Sequence, residues 1–135
     1  MENLIAGYEP AVFCVGLMAL LTLVQLLVAD FVGIAKGHRP GATVEHDHSD
    51  FLFRATRAIG NTNESIAIFM LAFAFALMSG ANQFWVNAFC GVYVAGRLGH
   101  MLAYYADLRL MRSIFFGIAL MALVAILITG FLSWV

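Results

Sequence analysis

Residues 65–96 contain no Asp, Glu, Lys or Arg, and the same is true of residues 10–29 and 113–135. At about 1.5 Å per helical residue, some 20 apolar residues cross the hydrocarbon core of a bilayer. Runs of this length leave few alternatives. Of the 135 residues, 63% are hydrophobic and 11% charged, where soluble domains carry roughly 25% charge. Mean hydropathy is +0.92. A water-soluble chain of this size could not hide so much apolar surface, so the class is integral membrane protein. The net charge of −1 offers no footing for nucleic acid. Cys14 and Cys90 both lie within apolar segments and read as small buried hydrophobes. The N-terminus, Met1-Glu2-Asn3-Leu4, lacks the basic region of a cleavable signal, so the first helix is expected to serve as its own insertion signal.

The fold class that follows is all-α, an up-down bundle of four membrane helices in one domain over residues 1–135. The helices are expected at about 8–35, 51–78, 84–105 and 113–134. Pro10 suits a first helical turn, and Gln25 is the one strongly polar residue in the run 10–29, which extends past Asp30. Gly37, Pro40 and Gly41 break the polar segment 36–50, and Ser49 or Asp50 can cap the helix after it. Residues 107–112 read as a short charged turn. All seven Lys and Arg lie between Lys36 and Arg112, with none in the 79–83 turn or at either end. The positive-inside rule then puts the 36–50 loop and the 107–112 turn in the cytoplasm and both termini outside. Gly91, Ala95 and Gly99, four apart, form a small-residue stripe open to a helix of the same chain or of another subunit.

Two polar faces interrupt the apolar runs. Arg57, Asn61 and Glu64 share one face of the second helix, with Arg54 at its edge; Arg97, His100 and Tyr104 share one face of the third. Glu64 lies about 15 Å inside the point where the second helix enters, and Arg97 about 15 Å inside the point where the third leaves. The helices are antiparallel, so Glu64 falls level with Arg97, Asn61 with His100 and Arg57 with Tyr104. An unpaired charge at that depth is unfavourable, which points to a Glu64–Arg97 ion pair, either within a subunit or across an interface. Setting helix register explains that pair but not the excess of cations. Arg54, Arg57, Arg97, Arg109 and Arg112 crowd this half of the bundle, against the acids Glu64 and Asp107. A forked guanidinium suits a carboxylate, so the expected ligand is an anion. The loop cluster His46-Asp47-His48-Ser49-Asp50 has zinc or nickel ligand types, although a solvated loop and helix cap is the commoner meaning.

Arg54-x-x-Arg57-Ala58-x-x-Asn61-x-x-Glu64 and Gly96-Arg97-Leu98-x-His100-x-x-x-Tyr104, followed by Leu108-Arg109-Leu110, together resemble the signature of the MAPEG family, the membrane-associated proteins in eicosanoid and glutathione metabolism. The resemblance spans helices two to four and reaches helix one by topology only. It implies a homotrimer with glutathione at each subunit interface near the cytoplasmic side. Arg57, Asn61 and Glu64 would hold the tripeptide's carboxylates and amine, Arg97, His100 and Tyr104 would complete the cradle, and Arg54 would belong to the same shell. Arg109 stands where the leukotriene-synthase branch carries its thiol-activating arginine. Arg112-Ser113 resembles the Arg-Ser pair of the prostaglandin-synthase branch. The implied function is conjugation or reduction of lipophilic electrophiles or hydroperoxides by an activated glutathione thiolate, with substrate arriving from the membrane lipid between helices one and four. At His100 the leukotriene branch has tyrosine and the prostaglandin branch histidine. Short, plain loops fit general detoxification in a bacterial inner membrane better than eicosanoid synthesis. The alternative is a non-catalytic scaffold or lipid- or partner-binding protein on the same fold. A transporter subunit is disfavoured, because the chain has no inverted repeat and no broken helix.

Overall fold

The computed structural model describes residues 5–135. Residues 1–4, the N-terminus noted for lacking the basic region of a cleavable signal, lie outside the described residues. Four helices follow in order: α1 (Glu9–Ala35), α2 (Phe51–Met78), α3 (Gln83–Tyr105) and α4 (Arg109–Leu132). Each boundary has a local cause. Pro10 occupies the first turn of α1 beside Glu9, an acid well placed against the N-terminal dipole. The Asp50 carboxylate accepts from Leu52 N at 2.7 Å and caps α2. Asn82 Oδ1 accepts from Trp85 N at 3.3 Å and starts α3. Asp107 has φ +56, a left-handed conformation that polar short side chains tolerate. It closes α3 so abruptly that α4 starts at Arg109 rather than Ser113. The charged residues 109–112 therefore belong to a helix and not to a turn.

Successive helices are antiparallel. Lys36 meets Asp50, Gln25 meets Thr62, and Tyr8 donates to Ala81 O, which aligns α1 against α2. Arg97 meets Asn61 while Tyr93 meets Ser65, which aligns α2 against α3. The centre is the α2–α3 pair, with α1 packed on both and α4 packed chiefly on α3. The α3–α4 contact is close because of Gly96: a Cβ there would stand 3.0 Å from Ala119 N. At Gly99 it would strike the Phe115 ring at 2.4 Å. Of the small-residue stripe, only Gly99 serves this contact. Gly91 meets nothing within 4 Å, and Ala95 is exposed. Phe69 and Tyr93 stack at 4.4 Å in the core, an arrangement that adds about 1 kcal/mol to their burial.

Three helices, α1, α2 and α4, are long and apolar enough to cross a membrane by composition alone. At 23 residues α3 reaches about 35 Å, the same span, but Arg97 and His100 dilute its apolar character. It hides both residues against its neighbours instead of showing them to lipid. Phe13, Phe31, Leu71 and Met121 lie on the outside, as hydrocarbon solvent requires. The chain is an integral membrane protein built as an all-α four-helix bundle.

Candidate functional site

The interior polar group is a relay, not an ion pair. Arg97 is 1% exposed. Its Nη1 donates to Asn61 Oδ1 at 3.0 Å and its Nη2 to Thr62 Oγ1 at 3.0 Å. Asn61 Nδ2 in turn donates to Glu64 Oε2 at 3.3 Å. The expected Glu64–Arg97 salt bridge does not form within the chain. Among the described residues the ion pairs are Lys36–Asp50 and Arg112–Asp107. The cause is helix geometry. Arg97 turns into the bundle towards α1, whereas Glu64 stands on the exposed face of α2, so Asn61 comes between them.

Sequence reasoning did not place two members of this relay. Thr62 Oγ1 lies 2.9 Å from Gln25 Oε1 and donates to it, so the chain of contacts runs from Gln25 on α1 through Thr62, Arg97 and Asn61 to Glu64. Gln25 is 0% exposed, and its Nε2 has no protein partner. The available signal was Gln25 itself. A lone amide in an apolar membrane helix must find a partner on another helix.

Asn61, Glu64 and Arg97 line one end of a cleft of about 150 Å³ between α2, α3 and α4. Ser65 and Tyr93 continue its polar side, and Phe116, Leu120 and Leu123 of α4 form an apolar wall. A second, larger concavity of about 700 Å³ lies under the 36–50 loop and is lined by His48, Phe53, Arg57 and Tyr104 among others. Arg57 and Tyr104, placed at one depth by sequence, do share this basin. His100 lines neither space, although its ring neighbours one lining residue of each. It is 3% exposed, with its ring 5.0 Å from Tyr104 and 6.2 Å from Phe116, and its Nδ1 has no protein partner.

The remaining arginines differ in their surroundings. Arg54 Nη1 donates to His48 O at 2.6 Å and to Ser49 O at 2.9 Å, so this side chain ties down the loop. Arg112 is buried, with its guanidinium 4.6 Å above the Tyr104 ring. It donates to Asp107 Oδ1 and, at 3.0 Å, to His48 Nδ1. Arg109 and Ser113 are exposed on the first turns of α4. In the loop, Asp47 accepts from Ser49 N and Oγ, and these bonds hold its carboxyl below the usual carboxylate range. Lys36 and the Leu52 amide do the same for Asp50.

Fold and site together define a membrane four-helix protein with an arginine-centred polar cleft set against an apolar wall. The MAPEG family model matches residues 10–132, nearly the whole chain, and the protein belongs to the MAPEG family. A comparison with curated proteins finds no match. Membership supports a general place in glutathione or eicosanoid metabolism at the membrane.

Proposed function

We propose that the protein is a glutathione-dependent membrane enzyme that conjugates or reduces lipophilic electrophiles or hydroperoxides. The observation that carries this reading is the cleft itself, where Arg97, Asn61 and Glu64, with Ser65 and Tyr93, face an apolar wall from α4. Glutathione has two carboxylates and one amine. Arg57 and Arg97 suit the carboxylates, Glu64 suits the amine, and Asn61 and Tyr104 can direct hydrogen bonds. The wall of Phe116, Leu120 and Leu123 suits a lipophilic co-substrate.

Exposure supports a site shared between subunits. Arg57 and Glu64 lie open on a single copy, and Glu64 does so at a depth where bare charge is costly. A homotrimer would cover them with a second chain, and the substrate would enter beside α1 and α4. Among the described residues Arg109 has no side-chain partner, which leaves it available to stabilise a thiolate. A cation beside a thiol lowers its pKa from about 8.5. Arg112, held in place by Asp107 and His48, and Ser113 are the second candidates for that task. Arg54 acts on the shell through the loop it anchors. On this reading the membrane is a bacterial inner membrane, and the cationic loops support a cytoplasmic side for this half of the bundle by the positive-inside rule.

Conjugation of glutathione to chlorodinitrobenzene by purified, detergent-solubilised protein tests the reading. Turnover is expected, with Arg109→Ala losing thiolate formation while still binding glutathione. Absence of both turnover and binding would favour the non-catalytic scaffold.

A further inference from the structure

His48 is the one loop residue whose side chain reaches the start of α4. Its Nδ1 sits 3.0 Å from Arg112 Nη1. A guanidinium only donates, so Nδ1 must accept, and the imidazole in this contact must be neutral with its proton on Nε2. Three further contacts aim the ring. Arg54 of α2 holds the His48 carbonyl at 2.6 Å. The Phe53 ring stands edge-on at 5.0 Å, and His46 at 5.4 Å. Arg112 is fixed from its other sides by Asp107 and by the Tyr104 ring. The loop thus closes over the basin that holds Arg57 and Tyr104, and its catch is a bond between an imidazole and an arginine.

We infer that His48 is a positioning residue for Arg112: neutral His48 latches the 36–50 loop onto α4 and holds the guanidinium over Tyr104, and protonation of His48 undoes the latch. The role given to Arg112 rests on the proposed function; the latch itself does not. The charges around His48 favour the neutral ring. Arg112 and Arg109 of α4 face it, with His46 alongside in the loop and Arg54 and Arg57 on α2. Asp107 opposes them from the α3–α4 link, and Asp47 and Asp50 flank it in the loop. Loss of solvent, then Arg112, holds the imidazole below its ordinary range. A base lowered on docking favours the docked loop above the ordinary histidine pKa of about 6.5. Below that pH docking weakens, by up to about tenfold per pH unit.

Hydrogen exchange of the full-length protein, with rates corrected for intrinsic pH dependence, tests the latch directly. In wild type, protection of residues 46–50 should fall between pH 8 and pH 5, by at most about thirtyfold. His48→Asn keeps an acceptor near the Nδ1 position but cannot titrate, so its protection should stay near the wild-type pH 8 level throughout. His48→Ala should be unprotected at both pH values while α-helical content is unchanged. Wild-type protection that does not vary with pH, or His48→Asn behaving like His48→Ala, would overturn the inference. A pH-dependent latch with no glutathione-dependent thiolate at any pH would uphold the latch and remove the enzymatic reading instead.

Discussion

Thr62→Val changes one atom type at the centre of the relay and almost no volume, so no cavity forms. Thr62 is 1% exposed and touches both Arg97 Nη2 and Gln25 Oε1. Valine strands both. Arg97 already carries a buried Nε with no protein partner, so the guanidinium has little reserve. A buried bond to a charged group is worth about 1.5–3 kcal/mol, and an orphaned neutral acceptor costs about 1–3. The expected loss is about 3 kcal/mol, roughly a hundredfold in the unfolding equilibrium. Gln25→Leu removes the other partner and should behave differently. Thr62 Oγ1 then donates to Ala58 O, already 3.2 Å away, and the unpartnered Gln25 Nε2 disappears. Interhelical bonds between neutral groups in membranes average about 0.6 kcal/mol, so the loss should stay under about 1 kcal/mol. Equilibrium unfolding in mixed detergent micelles measures both variants. A Thr62→Val effect no larger than that of Gln25→Leu would refute the claim that Thr62 supports a buried charge.

Further expectations concern packing, the ligand and the loop. Gly96→Val should cost about 1–3 kcal/mol in the same unfolding assay by forcing α3 from Ala119, while Gly91→Ala, with open space around it, should stay within about 0.5 kcal/mol. Glu64→Gln should leave unfolding unchanged, because Glu64 pairs with no cation among the described residues, but should weaken glutathione binding at least about tenfold by calorimetry. Asp50 has a lowered pKa, so its contribution to anchoring α2 is present above the ordinary carboxylate pKa and is lost as pH falls through its own. Asp50→Ala should accordingly flatten the acid side, below about pH 4, of a helicity-against-pH curve.

The bundle was legible because the charge-free runs 10–29, 65–96 and 113–135 are each long enough to span a bilayer, and Gly, Pro and Asn mark the breaks at 36–50 and 79–83. The polar faces were legible from spacing, and Arg57 and Tyr104 do line one basin. Pairing was not. Helical spacing puts Glu64 and Arg97 level but says nothing of rotation about each axis, and rotation gave Arg97 to Asn61 and Thr62. Thr62 escaped notice because threonine in a helix ordinarily satisfies itself on its own backbone. The His48–Arg112 contact crosses 64 positions and depends on how an irregular loop folds back, which local pattern does not specify. The start of α4 depended on one left-handed residue, Asp107.

The central claim is that the arginine-lined cleft binds and ionises glutathione. Titration of glutathione into the purified protein, followed by thiolate difference absorbance, measures this directly. A saturable thiolate signal at neutral pH, lost in Arg109→Ala, is the predicted result. No thiolate signal at any glutathione concentration in folded protein would contradict it.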